Sequence, residues 1–220
     1  MPKNRVRIEK ELLPKFHIYC EGAKTEPNYL NGYIGNMYPG NVRLKIIEIV
    51  PTKKNTPKQL VDEAVADKKS KYPNGDIFWV VYDRESKHKY SDKLHMEAYQ
   101  KAKSNNVYIG FSNVCFELWL LLHFQDTCAP YSCCDDLIKN SNLHAECKKI
   151  GLSNYSKGDK YIFNKIDDHI GKARERAEKM NREMLASADP SKVLPYHLNP
   201  YTDVHKLLDA IDEFAKNNIR

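Results

Sequence analysis

The 220-residue sequence lacks most of the features that mark a special environment. It has no run of 18 apolar residues, so no membrane-spanning helix and no membrane partner are expected. Its opening stretch, MPKNRVRIEKELLPK, is basic but has no apolar core. That pattern argues against a secretory signal and predicts a basic arm over residues 1–13. Six cysteines are present, none in paired CxxC knuckles. Without a secretion signal, reduced thiols and a cytoplasmic location are expected. Cys128, Cys133, Cys134, His144 and Cys147 crowd one stretch. The adjacent Cys133 and Cys134 do not easily face one ion, so zinc within that stretch is disfavoured. There is no internal repeat and no low-complexity segment. One-sided charge is also scarce: 35 basic against 29 acidic side chains leave a net +6, which suits a polyanionic partner without requiring one.

What is present is an alternation of strand and helix patterns. Phe16–Cys20 is a short apolar strand ending in Glu21-Gly22. A helix follows, with Thr25 as the expected N-cap, and ends before Pro39-Gly40. Val42–Val50 reads as a second strand. Thr56-Pro57 opens a helix that continues to about Lys71, with Leu60, Val61, Ala64 and Val65 on one face. After the turn at Tyr72-Pro73-Asn74-Gly75, DIFWVVY over Asp76–Tyr82 is a near-continuous apolar run, as expected of a central strand covered on both faces. Ser91–Asn105 reads as a helix with Leu94, Ala98, Tyr99 and Ala102 inward, Val107–Phe111 as a strand, and Cys115–Phe124 as a buried helix. This order predicts a mostly parallel sheet flanked by helices. Residues 125–200 read as helical with polar loops, including one long solvated helix over Ile162–Ala186. Thr202 is expected to cap a last amphipathic helix carrying Val204, Leu207, Leu208, Ile211 and Phe214.

In such a sheet the functional crevice lies at the carboxyl ends of the strands. Glu21 ends the first strand; Asp83 and Glu85 end the third. Residues two apart on an extended chain point the same way, so Asp83 and Glu85 are expected to aim at one point. Three carboxylates at one edge repel unless neutralised, and a hard divalent cation with oxygen ligands, Mg²⁺ or Mn²⁺, is the natural counter-charge. The competing reading is a set of ordinary turn acids, with Arg84 as their partner.

Several segments carry a family resemblance. Cys20-Glu21-Gly22-Ala23-Lys24-Thr25-Glu26 with Tyr29, Asp83-Arg84-Glu85, Ser112 through Trp119 with His123-Phe124, and Asn199-Pro200-Tyr201-Thr202 with Val204 and Leu207 resemble the motifs of RloB-like proteins. The resemblance implies a Toprim-like fold over residues 14–125, a helical extension over 126–220 packed on it, and Mg²⁺ or Mn²⁺ held by Glu21, Asp83 and Glu85. It implies a nuclease acting on DNA or RNA in bacterial anti-phage defence by abortive infection, often beside an ABC- or AAA-type ATPase. The sequence departs from the family in one place: the expected DxD is DxE, which loosens the ligand geometry. The departure motivates an alternative, a regulatory or adaptor subunit bound to the ATPase. A homo-oligomer stays open. A topoisomerase is disfavoured, because no tyrosine sits in a recognisable strand-cleavage domain.

Further candidates surround this cluster. Lys24 could hold a scissile phosphate. Glu26 could be an outer metal ligand, or could favour the helix start through its dipole. Glu117, an acid in an apolar helix, needs a partner and could be a further ligand or an acid–base group. His123 reads chiefly as a hydrogen-bonded core histidine, with general base as the rival. Ser112 and Asn113 could touch substrate or cap the following helix, capping being favoured. Lys157, with Tyr155 and Lys160, could reach across the site to neutralise charge. Trp119 reads as core, and Arg174, Arg176, Lys179 and Arg182 as a solvated helical face with a possible phosphate role.

Overall fold

The computed structural model describes residues 13–71, 75–86, 88–152 and 158–219. The basic arm before Leu13, three residues of the expected turn at 72–75, and both Tyr155 and Lys157 lie outside the described residues.

The expected alternation is present. Strand β1 (Phe16–Cys20) leads into helix α1 (Thr25–Met37), a short helix α2 (Asn41–Leu44) and strand β2 (Ile47–Val50). Helix α3 (Pro57–Ser70), strand β3 (Ile77–Asp83), helix α4 (Asp92–Ser104) and strand β4 (Tyr108–Asn113) complete the alternating part. The sheet order is β2-β1-β3-β4, all parallel, with a fifth strand at the β4 edge. The architecture is mixed α/β, as the sequence predicts, and is consistent with a Toprim-like fold. β1 is buried along its whole length, as a near-continuous apolar run in a covered parallel sheet should be. Its exception, His17, is fully buried and lies 2.8 Å from Glu48 on one side and 2.8 Å from Asp76 on the other.

Two local expectations are corrected. The second strand does not begin at Val42: residues 41–44 form α2, Lys45 takes a left-handed turn at φ 52°, and only Ile47–Val50 pair with β1. Asn41 sets the boundary. Its side chain accepts the Ile46 and Ile47 amides at 3.0 and 2.9 Å and donates to the Ile47 carbonyl at 2.8 Å, meeting backbone groups that have no ladder partner. Thr25 is not the N-cap of α1 but its first residue; Lys24 occupies the cap position without a side-chain bond. The caps of α3 and α4 are as read, with Thr56 accepting from the Gln59 amide and Ser91 from the Leu94 amide. The inner face of α4 is rotated from the expected stripe: His95, Ala98 and Ala102 are buried, while Leu94 and Tyr99 are half-buried.

Beyond β4 comes helix α5 (Glu117–Leu122), buried on every side, then α6 (Cys134–Asn140) and α7 (Leu143–Lys149). The long helix expected over 162–186 is two helices, α8 (Ile162–Ile166) and α9 (Ile170–Ala186), joined by a tighter turn at Asp167–His169. Thr202 does not simply cap the last helix. Tyr201–Thr202 form the antiparallel edge strand β5 against Ser112–Asn113, and α10 (Val204–Asn218) follows with Asp203 at its cap.

Side-chain alternation divides the core into two. Tyr19, Phe78, Val80 and Tyr82 face α3 and α4. Phe16, Ile18, Trp79 and Val81 join α1, α5, α8, α9 and α10 in the larger cluster. That cluster draws on both sides of residue 125, so β1 and β3 owe one covered face to residues from the last third of the chain. No helix among the described residues is long and apolar enough to cross a membrane.

Candidate functional site

Parallel pairing puts the carboxyl ends of β1, β3 and β4 side by side. The Glu21 amide donates to Val81 (2.8 Å), the Arg84 amide to Ser112 (2.7 Å) and the Glu85 amide to Val114 (3.0 Å). Three loops distant in sequence therefore meet at one edge around a cavity of about 320 Å³ lined by Glu21, Glu26, Asp83, Glu85 and Glu117. Lys24 and Phe116 also line it.

Glu21 is held firmly. One oxygen accepts the Asp83 amide at 3.2 Å and the other the Tyr90 hydroxyl at 2.8 Å. Burial nonetheless raises its pKa, with those two bonds opposing the rise. The Phe116 amide lies beside Asp83 and lowers its pKa slightly, while Asp83 Oδ1 is buried without a hydrogen-bond partner among the described residues. Burial, then Glu26, Glu117 and Glu21, push its pKa well above the carboxylate range. Glu26 is buried; burial, followed by Glu117 and Glu21, raises it to about 7, with its own amide and that of Gly22 opposing the rise. Glu21, Glu26, Asp83 and Glu117 thus line one cavity and feel one another's charge, though no three of them bring ligand atoms within 4.8 Å of one another among the described residues. Burial first, and the neighbouring carboxylates second, raise the pKa of Glu21, Glu26 and Asp83, so the cavity disfavours common ionisation of these three.

Glu85 is not part of that inner group. The expectation that Asp83 and Glu85 point together assumes an extended chain, but Glu85 has φ 55°, and its carboxylate pairs with Lys89 at 2.7 Å. Arg84 does not neutralise the cluster either. It is buried and donates to the Tyr90 carbonyl (2.6 Å), the Tyr196 carbonyl (3.2 Å) and Asp92 (2.6 Å). It ties the end of β3 to α4 and to the segment before β5. Lys24 stands exposed at the rim, where Gly158 packs against its stem.

Ser112 and Asn113 are buried and engaged inside the protein. Ser112 Oγ lies 3.0 Å from Thr202 Oγ1, and Asn113 donates to the Leu198 carbonyl at 2.6 Å. Neither caps α5, whose cap position is Phe116 without a side-chain bond. His123 is the core histidine the sequence favours: it is buried, 3.1 Å from the Tyr29 hydroxyl and 2.9 Å from the Trp119 carbonyl, and burial lowers its pKa to about 3. Trp119 is core. Arg174 bonds Asp209, Asp212 and Tyr33, while Arg176 bonds the Leu122 and His123 carbonyls; Lys179 pairs with Asp126. These basic side chains hold α9 in place. Lys160 is exposed.

Sequence reasoning undervalued Glu26 and did not single out Tyr90. The structure ties Glu26 to Gly22: a Cβ there would lie 2.1 Å from Glu26 Oε2, so glycine leaves the space that the carboxylate fills. A second group lies behind Glu117. Cys115, Glu117 and Cys134 offer ligand atoms within 4.8 Å of one another and could hold a metal ion. Neither Glu21, Asp83 and Glu85 nor any three of Glu21, Glu26, Asp83 and Glu117 form such a group among the described residues.

The RloB-like protein family model matches residues 16–211. The chain belongs to the RloB-like family. Every carboxylate of the cluster falls within the matched span of this RloB-like chain, as do β5 and most of α10. No curated protein and no solved structure matches it.

Proposed function

We propose that the chain is a divalent-metal-dependent nuclease that hydrolyses phosphodiester bonds of DNA or RNA, and that it serves in bacterial anti-phage defence in the cytoplasm. The observation that carries this reading is that Glu21, Glu26, Asp83 and Glu117 line one cavity, with Asp83 Oδ1 buried and without a hydrogen-bond partner among the described residues. An all-oxygen donor set suits Mg²⁺ or Mn²⁺. Glu21 and Asp83 would hold the ion, with Glu26 and Glu117 beside them. When bound, such an ion supplies Lewis-acid polarisation of a phosphoryl oxygen and neutralises charge.

The chain's own residues supply the rest. Tyr90 and the Asp83 amide fix the Glu21 carboxylate, so its orientation is set before any ligand arrives. Phe116 walls the inner side and limits water. Lys24, at the mouth, is positioned to take a phosphate as a point charge.

Calorimetric titration of Mn²⁺ comes first, followed by cleavage of DNA and RNA. Asp83→Asn is expected to lose saturable Mn²⁺ binding and at least 100-fold in cleavage while keeping its circular dichroism. Unchanged cleavage in a folded Asp83→Asn preparation would sink the proposal. One observation favours a second reading, a regulatory subunit docked on a partner ATPase: Glu85 is engaged by Lys89 rather than by the cluster. That reading predicts a complex with the ATPase that survives Asp83→Asn, read by co-purification.

A further inference from the structure

The start of α5 and the start of α6 bring together three side chains that the acidic cavity does not fully use. Cys115, Glu117 and Cys134 are each at most 6% exposed. One ligand atom from each lies within 4.8 Å of the other two. Cys134 Sγ donates to Glu117 Oε2 at 3.1 Å. Burial, then the Cys134 thiol and Glu117, keep the Cys115 thiol protonated when no cation is present.

A buried cysteine ordinarily packs as a small apolar group, and a carboxylate is costly in such a place. Here two thiols and a carboxylate turn toward one point instead. Ligands of a tetrahedral zinc, with sulfur at about 2.3 Å and oxygen at about 2.0 Å, lie about 3.5–3.8 Å apart. Small side-chain adjustments bring this group to that geometry. Two sulfurs with one oxygen match a borderline-soft ion, not the hard ions that suit the all-oxygen donor set. Glu117 lines the acidic cavity, and the two cysteines do not. The cavity is therefore the side from which a fourth ligand, water, would arrive.

We propose that Cys115, Glu117 and Cys134 form a second metal site that takes a thiophilic divalent cation, zinc, behind the acidic cluster and joined to it through Glu117. Binding converts two thiols to thiolates and releases two protons to solvent for each ion; no redox change occurs. The site does not depend on the nuclease reading, since its two sulfur ligands lie outside the acidic cavity.

Cobalt is the probe. Full-length protein, stripped with chelator and kept reduced by a phosphine, is titrated with Co²⁺. The expected result is a thiolate-to-cobalt charge-transfer band with tetrahedral d–d bands, saturating at about one equivalent and bleached by equimolar Zn²⁺. The bands fall to background in Cys115→Ser and in Cys134→Ser. They persist in Cys128→Ser, which removes an exposed thiol, and in Asp83→Asn, whatever that variant does to cleavage. Absence of thiolate bands in folded wild type overturns the proposal. So does their persistence in Cys134→Ser, or their loss in Cys128→Ser. The wild-type titration decides the question even if a core cysteine variant fails to fold.

Discussion

Glu26 shows how a single side chain can be set against the stability of its own fold. It sits in the cavity with Glu21 and Glu117, and burial raises it to about 7 from an ordinary value of 4.5. A raised carboxyl pKa means that the folded state holds its proton longer than the unfolded state, so stability falls as pH rises from about 4.5 to about 7. Glu26→Gln keeps the shape and removes that ionisation. In chelator, the variant should gain stability over wild type at pH 8, on the order of 3 kcal/mol, and the gain should shrink towards pH 5. Urea midpoints at the two pH values measure it; a pH-independent difference would refute the explanation. At this scale the sequence was partly legible. Glu21 and Asp83 could be placed because a residue that ends a parallel strand has only one edge to occupy. Glu85 could not, because its left-handed φ breaks the alternation on which the inference relied. Glu26 depended on a space left by Gly22, which no spacing rule reports.

At the scale of elements, strand β2 is the clearest lesson. Hydrophobic patterning extended it back to Val42, but Val42 is 73% exposed on α2. Asn41 overrides the pattern by satisfying three backbone groups at once. Val42→Asn is therefore expected to change stability by less than about 0.5 kcal/mol. Asn41→Ala, which strands buried backbone groups, should cost about 2–3 kcal/mol in the same denaturant titration. Equal costs would restore the longer strand. The helices α3 and α4 were legible because their caps, Thr56 and Ser91, act locally. The break between α8 and α9 and the two-residue strand β5 were not. The Tyr201–Thr202 strand exists only because Ser112 and Asn113 of β4 present an edge to it.

The whole molecule answers to long-range packing. The sequence alternation stops near residue 125, which invited a division there, yet the larger apolar cluster joins Phe16, Trp79 and Val81 to Ala173, Ala177, Leu207 and Ile211. Residues 14–125 alone would keep α1 and α5 on that face but lose the cover given by α8, α9 and α10. A fragment of those residues is expected to show no cooperative thermal transition and poor amide protection, whereas the full chain unfolds cooperatively. A fragment with a sharp transition would establish an independent domain.

The pinning of β4 by the Leu198 carbonyl and Thr202 sets an order in time. A ribosome releases the chain from its first residue onward, so Glu21 emerges before Asp83, and the segment that braces Ser112 and Asn113 emerges after both. Until that segment docks, Ser112 and Asn113, which end β4 just before the loop to Glu117, lack those two braces. In the proposed nuclease, competence therefore follows the docking of residues 198–202 rather than the synthesis of Glu21 and Asp83.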